Sequence, residues 1–171
     1  MNRSTLAAFV LGIFISQTEL ANAENALTLR AISREAYSVG EQEYEFGLFY
    51  PDEVSLSGFV FTLHQAGVLR SLMLFDGNAP TVKVVQLKSG SHWAQLRFVE
   101  GAHEHVMRFY QITPAGLQFT KGAEIRSGAG CIYQKSDSDI FTSVDIEHGK
   151  YYAYAYQLTQ KKLRHISRAP I

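Results

Sequence analysis

His103-Glu104-His105 holds the donor types and the spacing that a metal ion requires of a protein. Imidazoles two residues apart on an extended chain project to one side, and with a carboxylate they suit zinc or copper. His92 stands one hairpin earlier. If 91–99 pairs with 105–112, however, His92 falls far along the ladder from the turn that holds His103. A third ligand would then have to come from His64 or His148. His103 and His105 remain candidates for a metal-dependent enzyme or a metal chaperone, set against the plainer reading of two solvated histidines in a turn. No cofactor is expected.

Other catalytic patterns have less support. No serine sits in a G-x-S-x-G elbow, and the chain offers no helix to follow one. SGAGC, residues 127–131, is too short for a phosphate loop, and no lysine-serine pair follows it. Asp137 and Asp139 lie in KSDSD, a solvated loop by composition. Cys131 is the only cysteine, so no internal disulfide can form. Its setting, GAGCIYQ, reads as a buried and inert thiol, with a reactive or intermolecular thiol as the alternative.

YYAYAYQL, residues 151–158, offers recognition rather than reaction. In an extended strand Tyr152, Tyr154 and Tyr156 share one face, and Tyr151, Ala153 and Ala155 share the other. Either the tyrosines meet a partner while the alanines pack on a second layer, or they pack inward with their hydroxyls reaching water at the edge. Glu41, Glu43 and Glu45 supply a charged border for the first of these.

The elements that must position these groups read almost entirely as strands. Segments 44–50, 57–64, 68–75, 81–87, 91–99, 105–112, 116–120, 130–134, 139–146, 151–158 and 163–167 are rich in Val, Ile, Phe, Tyr and Thr. Short pieces such as DGNAP, KSG, EGAHE and EHGK separate them, with the turn residues that hairpins need. The stretch 27–38 fits a helix or a first strand, and its alternation favours the strand. Segment 68–75 is apolar on both faces, which predicts a place in the middle of a layered structure. In 139–146, Ile140, Val144 and Ile146 share the more apolar side, opposite Ser143 and Asp145, with Phe141 the exception. No gap is long enough for a crossover helix. The expected fold is all-β: an antiparallel meander of about ten short strands forming a sandwich or small barrel, with propeller-like packing as a further form. An outer-membrane barrel fits less well, because the strands are short and Arg70, Arg97 and Arg108 interrupt them.

The ends of the chain speak to location. Residues 1–23 carry Arg3, an uncharged run from Leu6 to Ile15, and Ala21-Asn22-Ala23, the three parts of a cleaved export signal. That run is half the roughly 20 residues of a membrane span, so no span is expected once the leader is removed. Residues 24–171 are then expected to form a single β-rich domain, periplasmic or secreted. Charge is balanced overall but segregated: acidic residues dominate 24–53, whereas 161–171 holds four basic residues and no acidic one. A neutral chain gives no case for nucleic-acid binding. These features together predict a non-enzymatic domain that binds another macromolecule, as an inhibitor or an immunity-type protein does. A barrel carrying a small apolar ligand is the alternative.

Overall fold

The computed structural model describes residues 28–52, 58–135 and 138–171. Twelve strands run through them: β1 (Leu29–Val39), β2 (Gln42–Pro51), β3 (Phe59–Gln65), β4 (Val68–Phe75), β5 (Asn78–Gln86), β6 (His92–Glu100), β7 (Glu104–Thr113), β8 (Gly116–Ser127), β9 (Cys131–Gln134), β10 (Ile140–Glu147), β11 (Lys150–Leu158) and β12 (Leu163–Pro170). They form three antiparallel sheets of four, each a meander in chain order: β1 to β4, β5 to β8, and β9 to β12. Among the described residues there is no helix and no closed barrel. The expected all-β meander of short strands is therefore present, in sandwich form. The leader expected over residues 1–23 lies outside the described residues.

Local sequence explains the tightest joints. Gln65 pairs with Val68 across Ala66-Gly67, and Glu147 pairs with Lys150 across His148-Gly149. In both turns the two central residues have positive φ, at 49° and 75° and at 50° and 75°. Two successive positive values make a primed turn, whose twist matches the flanking strands. A glycine at the second position removes half of the steric cost.

The sheets stack in three layers. The middle sheet alternates its side chains between two cores: Ala94, Leu96, Phe98, Val106 and Tyr110 face one way, and Trp93, Met107, Phe109, Ala123 and Ile125 face the other. The first set packs on Tyr44, Phe46, Leu48, Phe59, Phe61 and Leu63 of the first sheet. Phe59, Phe75 and Phe98 form a ring cluster there, with centroids 5.1 to 5.6 Å apart. The second set packs on Ile132, Phe141 and Leu158 of the last sheet, with Phe109 and Phe141 edge to face at 4.8 Å.

This arrangement corrects three expectations. Segment 68–75 is not central: β4 is an edge strand with Leu74 70% exposed. The strands covered on both faces are β6 and β7, although they contain Gln95, Arg97 and Arg108. Arg97 donates to the Ile132 carbonyl at 2.7 Å, and Arg108 donates to Glu124, so each cation is held where it is covered. In β10 the faces are reversed: Phe141 and Ser143 are buried, and Ile146 is 49% exposed. The alternation was read correctly, but a strand's period does not say which side meets the neighbouring sheet. Finally, Cys131 is exposed, because Ile132 occupies the core and forces its neighbour outward.

Candidate functional site

The two-residue turn at His148-Gly149 sets the register of β10 against β11, pairing Asp145 with Tyr152, Ser143 with Tyr154 and Phe141 with Tyr156. Because Phe141 and Ser143 face the middle sheet, the tyrosine row faces it too. Tyr156 and Leu158 lie at the covered end, Leu158 within the second core and Tyr156 against it. Tyr152 and Tyr154 lie towards the open end and are half-buried. The inward alternative for this row is the observed geometry, and the alanines form the outer face.

β12 completes the shelf. Pairing sets Arg168 beside Tyr154 and His165 beside Tyr156, with a bulge between them. The Arg168 guanidinium lies 3.7 Å from the Tyr152 ring centroid, close enough for a cation–π contact. It also donates to Glu147 at 2.5 Å. Tyr154 donates its hydroxyl to the same carboxylate. The hydrogen bond from Arg168 to Glu147, with the carboxylate's charge, holds the Arg168 pKa above its ordinary value. His165 stands edge-on to Tyr156 at 5.5 Å. The result is an aromatic shelf whose side chains are locked to one another before any ligand arrives.

Glu147, His165 and Arg168 were missed from sequence. The turn EHGK could have placed Glu147 beside the row, since a two-residue hairpin fixes the pairing next to it. Nothing local could have placed Arg168, because its position depends on the bulge in β12.

The three glutamates are elsewhere. Glu41 lies in the β1–β2 turn, and Glu43 and Glu45 lie on β2 of the first sheet, with the middle sheet between them and the tyrosines. Glu45 faces Arg34 at 3.6 Å, both well exposed. The structure therefore does not bring the two halves of the expected surface together.

His103 and His105 do come together. They line a cleft of about 440 Å³ with Val99, Ala102 and the Gly128–Gly130 turn. His105 pairs with Val99, whereas His92 lies at the opposite end of β6, 6.0 Å from the Tyr37 ring. His64 is on the first sheet and His148 is in the β10–β11 turn. Among the described residues no three His, Cys, Asp or Glu side chains converge on a point where an ion could sit. Asp137 lies outside the described residues.

A second polar cluster escaped the sequence reading. Arg108 lies 5.4 Å from the centroids of both Phe75 and Phe98 and donates to Glu124. Arg126 bridges Glu124, Glu104 and Glu100. Burial alone would lower the Arg108 pKa, but the Glu124 carboxylate more than offsets it, so the guanidinium stays charged. Burial raises the Tyr110 phenol above its ordinary value, with Arg108 opposing in part. This network joins the first sheet to the middle one, and its side chains are committed to each other.

No protein family, curated protein or solved structure matches the chain.

Proposed function

We propose that this chain is an exported, non-enzymatic β-domain that captures another protein on the tyrosine shelf of its last sheet, in the manner of an inhibitor or an immunity-type protein. The observation that carries the reading is the half-buried shelf of Tyr152 and Tyr154, held by Arg168 and Glu147. Tyrosines fixed in advance contribute contact area at little entropic cost, which favours a protein ligand. Lys161 and Lys162 lie in the β11–β12 turn at the Leu158 end of the sheet, and Arg164 pairs with Gln157 on the outer face, so Arg168 is the cation set beside the two tyrosines. The partner is expected to offer an apolar or aromatic anchor to the two tyrosines.

The test replaces Tyr154 with a photo-crosslinking phenylalanine analogue in living cells and identifies the adduct by mass spectrometry. With the identified protein in hand, Tyr152→Ala and Tyr154→Ala should each weaken binding by about tenfold or more, as expected of anchor residues. Glu41→Gln should leave it unchanged. Equal binding by all three variants would remove the shelf from the proposal. Export is read separately, by N-terminal sequencing of the periplasmic protein, which should begin at Glu24.

A further inference from the structure

One cleft of the molecule belongs to neither the tyrosine shelf nor the two cores. It encloses about 450 Å³ where the β11–β12 turn overhangs the middle sheet, and Ser91, Gln111, Gln118, Thr120, Gln160 and Lys161 line it. Gln160 donates to the Ser89 carbonyl at 3.4 Å, which ties that turn to the β5–β6 turn and closes one side. Gln111 and Gln118 are partners across β7 and β8, and Gln111 is also the partner of Trp93 on β6. Trp93 is buried in the second core, so this row lies on the side of the middle sheet that the last sheet covers.

The polar lining is uncommitted. Among the described residues, the amides of Gln111 and Gln118, the Thr120 hydroxyl and the Lys161 ammonium make no hydrogen bond or ion pair. Gln134, an amide on the inner side of the last sheet, shows the contrast. Lys83 donates to it at 3.0 Å, and it donates to the Ser138 carbonyl at 3.0 Å. Next to the Gln111 row, the indole N–H of Trp93 and the Gln95 Oε1 are buried and also lack a partner among the described residues. Native interiors pair nearly all such groups, so this part of the seam holds more donors and acceptors than the chain itself matches.

We propose that the cleft binds a sugar acid, a ring rich in hydroxyls that bears one carboxylate. Each part of the lining selects for this class. None of the six side chains is apolar, so an oily ligand would leave their polar atoms unpaired. An amide carries a donor and an acceptor in one plane, and a ring hydroxyl both gives and takes a hydrogen bond, so the two match. Lys161 is the single charge in the lining, and a carboxylate is its partner. One cation is too few for the repeated phosphates of a nucleic acid. The volume falls towards the lower end of the range for small-molecule sites. None of the six side chains is aromatic, so hydrogen bonds carry recognition and a single ring binds weakly. The inference does not rest on the tyrosine shelf, because Tyr152 and Tyr154 lie towards the other end of β11.

Trp93 is the only tryptophan and stands beside Gln111, so its emission reads the cleft without a label. Titration of the full chain with sodium glucuronate and sodium galacturonate should give a saturable change for at least one, with a Kd of about 1 mM. Glucose, which lacks the carboxylate, should bind about tenfold more weakly. Lys161→Ala should erase that preference. Gln118→Ala, at an exposed position, should weaken uronate binding by about fivefold while the circular dichroism stays unchanged. Calorimetry of the same titrations reads any binding that does not reach the indole. Failure of both uronates to bind up to about 100 mM overturns the proposal, as does binding that neither variant weakens.

Discussion

The middle sheet and the last sheet invert the usual relation between polarity and burial. β6 and β7 are covered on both faces yet contain Gln95, Arg97 and Arg108. β10 and β11 turn Ile146, Val144 and Tyr151 to the outside and bury Ser143 and Phe141. The difference lies in what each charged group can reach. Arg97 finds the Ile132 carbonyl across the second seam, and Arg108 finds Glu124 on the adjoining strand with Phe75 and Phe98 beside it. A strand next to partners on both sides can therefore hold cations that an isolated hydrophobicity reading assigns to the surface. The last sheet has a neighbour on one side only, so one of its two largely apolar faces is left exposed.

The largest test of this contrast is Phe109→Ala, which opens the second core where Phe109 meets Phe141. Loss of a buried phenylalanine costs about 3–5 kcal/mol, and urea unfolding should show it. A loss below about 1 kcal/mol would mean that the last sheet does not pack on the middle one.

Arg108→Met comes next. Removing Arg108 leaves Glu124 with Arg126 as its remaining cation, with an expected loss of about 1–3 kcal/mol. Glu124→Met should cost less in the Arg108→Met background than in the parent chain, because its Arg108 contact is already gone and only Arg126 is left to lose. Additive losses in the double-variant cycle would show that the pair is not coupled.

The smallest change belongs to the outer face of the last sheet. Ile146→Ser should stay within about 0.5 kcal/mol of the parent chain in urea unfolding. A loss comparable to that of Phe109→Ala would place Ile146 in the interior and reverse the assignment of the faces. Together, the three variants order the layers by stability alone.

Much of this molecule was legible in the sequence, and the limit is specific. EHGK, with His148-Gly149, announced a hairpin, and the Val, Ile and Tyr alternation announced strands, because turn geometry and pleat are properties of a few adjacent residues. The shared face of Tyr152, Tyr154 and Tyr156 followed from the same period of two. The direction of that face did not follow, since a period has no sign. The packing of Ile132, Phe141 and Leu158 on the middle sheet turns the tyrosines inward and Cys131 and Ile146 outward, and the bulge in β12 sets Arg168 over Tyr152. The separation of Glu41, Glu43 and Glu45 from the tyrosines likewise depends on the stacking order of three sheets. Adjacent residues fix how a strand alternates, whereas residues distant in the chain decide what each side of it meets.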